Sequence, residues 1–240
     1  MTLLTDDFVF IHVPKAGGSF VAKLFIGTTP NIPASRHRAP SYLPKRWHAT
    51  CPGAHKTCSA IPDTHKHLPH IAVRRNPWAW YVSWHQFHLR HLSMSPSQRK
   101  LVEAGPWAEA SEVGRLSFSE TVRNVQDDRG GFYTVNHRSL LALDEELKSK
   151  LGTDITYLRQ SHLREDLCAF LRRFDEIPTA MEKAIMDTPR VNVSTKKDYR
   201  TYYDDETAQF VENAEETFIE KFGYTFEAIA ENRSEEVNRR

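Results

Sequence analysis

Three short apolar runs punctuate the chain: Phe8–Val13 (FVFIHV), His70–Val73 (HIAV) and Ile155–Leu158 (ITYL). Continuous runs of four to six β-favouring residues, without polar alternation, predict strands buried on both faces, the pattern of a parallel sheet. Between them the apolar spacing changes to that of helices. Phe20–Phe25 follows the first run. Asn76 as N-cap and Pro77 at the first helical position predict a helix to about Leu92, with Trp80, Trp84, Phe87 and His91 along one stripe. Ser117 or Ser119 caps a helix through Val125, and Leu140–Leu151 is weakly helical. Ser161 is placed to cap an amphipathic helix with Leu163, Leu167, Phe170, Leu171 and Phe174 on one face. Pro178 and Pro189 bound a short helix. Asp204 or Asp205 caps the last one, with Phe210, Val211, Ala214, Phe218 and Phe222 inward and Gly223 at its end.

The stretches Gly27–Thr50, Ser93–Ser117 and Thr188–Arg200 read as loops, and Gly130-Gly131 as a turn. No internal repeat and no linker interrupts the alternation of strands and helices. The expectation is one α/β domain over residues 1–230, a central parallel sheet flanked by helices, and a polar tail over 231–240.

The junction after the first strand carries the first chemical signal. Pro14 has no N–H to continue a ladder, Gly17 and Gly18 permit tight or left-handed backbone, and Ser19 is a suitable N-cap for the helix beginning at Phe20. A strand, a Gly-rich turn and a helix N-terminus make an anion site, because backbone N–H groups and the helix dipole face the ligand. Lys15 adds a full charge. A Walker A loop has its Lys after the last Gly, whereas PKAGGS has it before both, which weakens a kinase or GTPase reading. The plain alternative is a strand–turn–helix with an exposed Lys.

Composition narrows the partners. The 240 residues are 40% hydrophobic with a formal net charge of +1, enough for a real core and without the global basic footprint of a nucleic-acid binder. The charge is uneven. Arg36 to Arg75 holds eight Lys/Arg and six His against Asp63 alone, and Asp204 to the end holds eleven acids against four Lys/Arg. A basic N-terminal half suits an anionic ligand held locally. Three cysteines, Cys51, Cys58 and Cys168, at no framework spacing fit a reducing compartment. The N-terminus lacks the basic segment of a signal peptide, and no stretch approaches a membrane span, so a soluble cytoplasmic protein is expected.

The second signal is VRRNPWAWYVSW. Arg75 precedes a capped helix and Ser83 lies seven residues past Asn76, so the two can hold a phosphate together. The alternative is a surface Arg and a helix Ser bonded to its own backbone.

PKAGGS resembles the 5′-phosphosulfate loop of sulfotransferases that use 3′-phosphoadenosine 5′-phosphosulfate (PAPS). RNPWAWYVS, some sixty residues on, resembles their 3′-phosphate motif, with Arg75, Pro77 and Ser83 at matching spacing. LRQSHLREDLCAFL is similar to the family's helix after its third strand. The segment from Val191 to Phe226 is similar to the C-terminal part of the small enzymes related to carbohydrate 2-O- and 4-O-sulfotransferases. Ser93–Leu151 is outside the resemblance. Ser19 stands where the family often has Thr, and Trp80 where it often has a second basic residue.

The resemblance implies a P-loop NTPase-like fold and transfer of a sulfuryl group from PAPS to an acceptor hydroxyl, by default of a carbohydrate, with release of PAP and without a metal. It places Pro14, Lys15, Ala16, Gly17, Gly18, Ser19 and Phe20 at the 5′ end of the nucleotide and Arg75 and Ser83 at its 3′-phosphate. Lys196 and Lys197 fall on a loop over it. Lys15 would stabilise the leaving phosphate oxygen. A histidine suits the general base near neutrality. His55 in GAHKTCSAIP is placed ahead of His48, and Glu103 is the acidic alternative. Partners are then a small-molecule or glycan acceptor, with no nucleic acid and no membrane span. Two other readings are weighed: a P-loop nucleotide kinase, and a Zn²⁺ site built from Cys51, His55, Cys58, His65 and His67, whose spacing matches no common finger.

Overall fold

The computed structural model describes residues 2–28, 38–50, 61–103, 113–125, 132–191 and 197–227. It is an α/β protein with a four-stranded mixed sheet and, among the described residues, nine α-helices. The chain divides into two compact units, residues 1–74 with 138–193 and residues 75–137 with 194–240.

The first unit holds the sheet, with strands β1 (Thr2–Leu4), β2 (Val9–Ile11), β3 (His70–Arg74) and β4 (Ile155–Arg159) in that order across it. β2, β3 and β4 are parallel, with Phe10 opposite Ile71 and Ala72 opposite Tyr157. The three apolar runs are therefore the three parallel strands. The parallel sheet expected from them gains an antiparallel edge, β1, which pairs with β2 through Leu3 and Phe10. Three residues before a tight turn carry too little pattern to be read as a strand.

Helices α1 (Gly18–Ile26) and α6 (Leu163–Leu171) meet on the ring of Phe8, which packs edge-on against Phe25 at 5.6 Å and Phe170 at 5.4 Å. Asp166 of α6 grips the end of β4. Its carboxylate accepts from the Arg159 guanidinium at 2.7 and 3.0 Å and from the Arg159 amide at 2.7 Å. The buried Asp144 of α5 (Phe132–Leu151) does the same at the start of β4, accepting from the Ile155 amide at 2.8 Å. Helix α7 (Thr179–Asp187) starts at Pro178 as expected, and its C-terminal carbonyls are capped by Arg164, which reaches Ile185, Met186 and Thr188.

The second unit is helical. Helix α2 (Pro77–Leu92) begins as its sequence dictates, with the Asn76 side chain accepting from the Ala79 amide at 3.1 Å and Pro77 in the first position. Its aromatic stripe is core: Trp80, Trp84 and His91 are buried, Trp80 and Trp84 stack at 5.1 Å, and Phe87 is half-buried. The loop from Ser93 contains α3 (Pro96–Glu103). Ser117 caps α4 (Phe118–Val125) reciprocally with Glu120, the Ser117 amide donating to the Glu120 carboxylate at 2.8 Å.

Asp204 caps the C-terminal helical stretch and Gly223 ends it in a left-handed conformation, both as expected. The single last helix is in fact two, α8 (Asp205–Ala214) and α9 (Glu216–Phe222). They break at the buried Glu215, whose carboxylate accepts from the Tyr81 hydroxyl at 2.9 Å. A buried carboxylate needs its partners more than the helix needs one turn.

His70, at the start of β3, is fully buried, and its ring nitrogens make no well-formed hydrogen bond among the described residues. Burial pushes its pKa down to about 4, offset only in part by the Leu68 carbonyl. The folded protein therefore keeps His70 neutral while the unfolded chain protonates it near pH 6.5, so stability falls as pH drops from about 6.5 to about 4 and levels off below. Denaturant titrations of the wild type and His70→Leu between pH 7 and pH 4 should differ in slope by close to one proton, about 1.4 kcal/mol per pH unit. Parallel slopes would remove His70 as the source.

Candidate functional site

The carboxyl end of β2 leads into α1 in six residues, His12 to Gly17, and the backbone there alternates in handedness. Lys15 has φ of 62° and Gly17 a φ of 109°, while Ala16 and Gly18 between and after them are not left-handed. Alternation of this kind turns successive N–H groups toward one concave side, the geometry of an anion-binding nest. Lys15 is the one described residue other than glycine with positive φ. An L-residue held there carries strain of about 1 kcal/mol, which the loop tolerates with a cation at that position.

Two of the turn's amides are used internally: Ala16 donates to the Val13 carbonyl at 3.3 Å and Phe20 to the Gly17 carbonyl at 2.9 Å. The amides of Gly17, Gly18 and Ser19 have no partner among the described residues. They belong to the first turn of α1, where the helix itself supplies none. Ser19 does not cap α1. The cap position is Gly17, without a side-chain bond, and Ser19 sits inside the helix. The reason is the left-handed Gly17, which completes the turn two residues earlier than a serine cap would. Phe20 is also placed differently from the expectation. Its ring is buried under the Arg164 guanidinium at 4.8 Å and its amide is spent on Gly17, so it supports the turn from behind.

Two glycines are fixed by close approach. A Cβ on Gly18 would lie 1.6 Å from Cδ2 of His12, and one on Gly17 would lie 3.1 Å from the Leu163 side chain and 3.7 Å from that of Gln160. The turn is therefore walled by the residues that follow β4. Here too the expected cap is replaced: α6 starts after His162 with no side-chain cap, and Ser161 Oγ instead bonds the His162 ring at 3.0 Å. Asp166, placed to bind the Arg159 amide and guanidinium, holds that corner.

In the second unit, Arg75 lies one residue before the Asn76 cap. Burial pushes the Tyr203 phenol far up, with Tyr199 adding to the rise and the positive charge of Arg75 opposing it. The Tyr203 hydroxyl donates to the Trp78 carbonyl at 2.9 Å. Tyr199, also raised by burial, donates its hydroxyl to the Phe226 carbonyl at 2.7 Å. Phe226 packs edge-on against Trp78, Tyr199 and Tyr203 at 5.4 to 6.0 Å. This aromatic cluster was not visible from the spacing of its members, since Trp78 lies more than 120 residues from Tyr199 and Tyr203 in the chain. Ser83 is buried on α2 and its side chain makes no hydrogen bond among the described residues, so it is not spent on its own helix backbone.

His48 is exposed at the end of the Lys45–Trp47 turn, and Lys197 is exposed before the Tyr199–Tyr202 turn. His55 and Lys196 lie outside the described residues, as do Cys51 and Cys58, and the Glu103 side chain is not described. No group of three or more His, Cys, Asp or Glu is placed to hold a metal among the described residues, and no described helix is long and apolar enough to cross a membrane. No protein-family model, no curated protein and no solved structure matches this chain.

Lys15 combines a positive charge with an unfavourable backbone, and the two separate experimentally. Lys15→Gly should leave the melting temperature unchanged or raise it, because glycine relieves up to about 1 kcal/mol of strain. The same variant should lose about ten-fold or more in affinity for inorganic pyrophosphate, measured by calorimetry. Unchanged pyrophosphate affinity would make Lys15 a bystander of the turn.

Proposed function

We propose that this protein is a PAPS-dependent sulfotransferase with a P-loop-like nucleotide site, moving a sulfuryl group to an acceptor hydroxyl, by default on a carbohydrate. The observation that carries the reading is the set of three consecutive amides, Gly17, Gly18 and Ser19, unpartnered behind Lys15 at the carboxyl end of a parallel strand. Backbone donors in that arrangement take phosphate oxygens, and Lys15 precedes the glycines as in the resembled 5′-phosphosulfate loop.

In this reaction the acceptor oxygen attacks sulfur in line, the bond from sulfur to the 5′-phosphate oxygen breaks, and PAP departs with the negative charge. The protein's contribution is positioning and charge stabilisation. Lys15 stabilises the departing phosphate oxygen, and the three amides hold the 5′-phosphate. Arg75 and the uncommitted Ser83 hydroxyl are assigned the 3′-phosphate. The acceptor proton goes to a histidine, His55 ahead of His48. Lys196 and Lys197 are assigned to the loop over the nucleotide.

Millimolar PAP should raise the melting temperature, since a ligand of the folded state alone stabilises it. A shift with ATP·Mg²⁺ and none with PAP would turn the reading toward a nucleotide kinase. Arg75→Ala should weaken PAP roughly ten- to hundred-fold, the worth of a charge-assisted contact, and adenosine 5′-phosphosulfate, which lacks the 3′-phosphate, far less. Equal losses would make Arg75 structural. With radiolabelled PAPS and a panel of glycans, lipids and phenols, His55→Ala should cut turnover about 10²–10⁴-fold with PAP affinity kept. Full activity in both His55→Ala and His48→Ala would exclude a histidine base from this pair.

A further inference from the structure

His85 sits midway along α2, inside the helical unit, and only 7% of it is exposed. Its Nδ1 is buried and makes no hydrogen bond among the described residues. Its Nε2 lies 3.4 Å from the Leu116 carbonyl oxygen, a long hydrogen bond. The ring stands edge-on to Phe118, the first residue of α4, at 5.5 Å, and Phe118 packs edge-on against Tyr203 at 4.7 Å. One turn further along α2 the chain leading into α4 comes closer still. A Cβ on Gly114 would lie 2.6 Å from the His88 carbonyl oxygen and 3.1 Å from the Leu92 side chain. Residues 114–118 are thus laid directly on α2, with an imidazole beneath them.

A neutral ring fits this place: Nε2–H donates to Leu116 and Nδ1 keeps a lone pair. Protonation puts a charge and a second N–H on a ring whose Nδ1 has nothing to give it to. The ionisable groups on the surrounding elements offer no relief. On α2 the Tyr81 hydroxyl goes to Glu215, and His88 Nδ1 lies 3.0 Å from the Trp84 carbonyl. On the segment and α4, Arg115 is exposed, Ser117 holds the Glu120 carboxylate, and Arg123 pairs with Glu206. Beyond Phe118 the Tyr203 hydroxyl donates to the Trp78 carbonyl, and Tyr202 meets Phe118 through its ring. Burial accordingly pushes the His85 pKa down, opposed by the Leu116 carbonyl.

We propose that His85 is an acid-operated latch: neutral, it lets residues 114–118 lie on α2, and protonated, it lifts them off so that its ring reaches water while the rest of the helical unit stays folded. The segment closes the Ser93–Ser117 stretch, which is outside the sulfotransferase resemblance, so the inference does not rest on that reading. With the segment lifted, the ring titrates near its ordinary 6.5; with the segment down, it titrates lower. Opening therefore becomes easier as pH falls below about 6.5, by at most about ten-fold per pH unit, the worth of one proton.

The test is amide hydrogen exchange of the full chain at about pH 7.5 and about pH 5, read by NMR and corrected for the intrinsic pH dependence of exchange. The reporters are the amides of Leu116, bonded to the Val113 carbonyl, and Thr121, bonded to the Ser117 carbonyl; the references are those of Trp80 at the start of α2 and Ala208 in α8. The wild type should lose about ten-fold in protection at Leu116 and Thr121 on acidification, and far less at Trp80 and Ala208. His85→Phe keeps a ring against Phe118 and cannot take a proton, so its protection should be the same at both pH values. An unchanged pH dependence in His85→Phe, or an equal loss at all four amides, overturns the proposal. Should His85→Phe not fold, the wild type decides by following the His85 imidazole ¹⁵N resonances and the amide shifts of residues 114–118 in one pH titration. A common midpoint below 6.5 sustains the latch. A ring that titrates while those amides stay still, or that does not titrate at all, overturns it.

Discussion

The first unit is organised by how sharply the chain leaves β2. Six residues take it from a fully buried strand to the axis of α1, and in that space it reverses handedness twice, at Lys15 and Gly17. Such a turn is possible only where side chains are absent or tolerated at positive φ, and only with Gly18 bare against the His12 ring. Everything around it conforms to this constraint. Phe20 and Arg164 close it from behind, Leu163 and Gln160 from the side, and Asp166 fixes the corner from which those last two come. The unpaired amides of the turn are a by-product of the same geometry, since a chain that bends this quickly leaves its own donors pointing outward.

Much of this was legible in the sequence, and the reasons are specific. β2 and β3 are apolar runs buried on both faces, which leaves no other pattern available to them, and β4 keeps the same run although Thr156 and Tyr157 are only half-buried. Asn76-Pro77 and Gly223 mark helix ends because each residue has a conformational property that little else supplies. The misread helix starts have separate causes. Ser19 and Ser161 are good caps by composition, yet Gly17 and His162 occupy the cap positions: the left-handed Gly17 closes its turn early, and Ser161 spends its hydroxyl on the His162 ring. The break at Glu215 follows from a bond to Tyr81, 134 residues away, which no local window contains.

Of the candidate site, the existence of the Lys15–Ser19 turn was legible, since strand, Pro, Lys and two glycines are contiguous, but its cap at Gly17 in place of Ser19 was not. The sequence motif offered Arg75 and Ser83 as a pair, but the aromatic cluster of Trp78, Tyr199, Tyr203 and Phe226 was not legible, because only the folded second unit assembles it. The close approach of the His12 ring, directly after β2, to the bare Gly18 was not legible. Strand periodicity alone assigns such a residue to the core.

The pairing order of the sheet has a consequence for the making of the protein. β2 and β3 are neighbours across some sixty residues of sequence, and β3 and β4 across more than eighty. Parallel ladders closed over such distances form slowly, since loop entropy is lost before any contact returns it. Lys15 and the two glycines leave the ribosome early, but Gln160 and Leu163, which wall their turn, emerge almost 150 residues later. At a translation rate of about 5–20 residues per second, that is an interval of roughly seven to thirty seconds. Through it the nascent chain carries the turn sequence without the wall that shapes it, so an early strand waits on a late helix before its own exit turn takes shape.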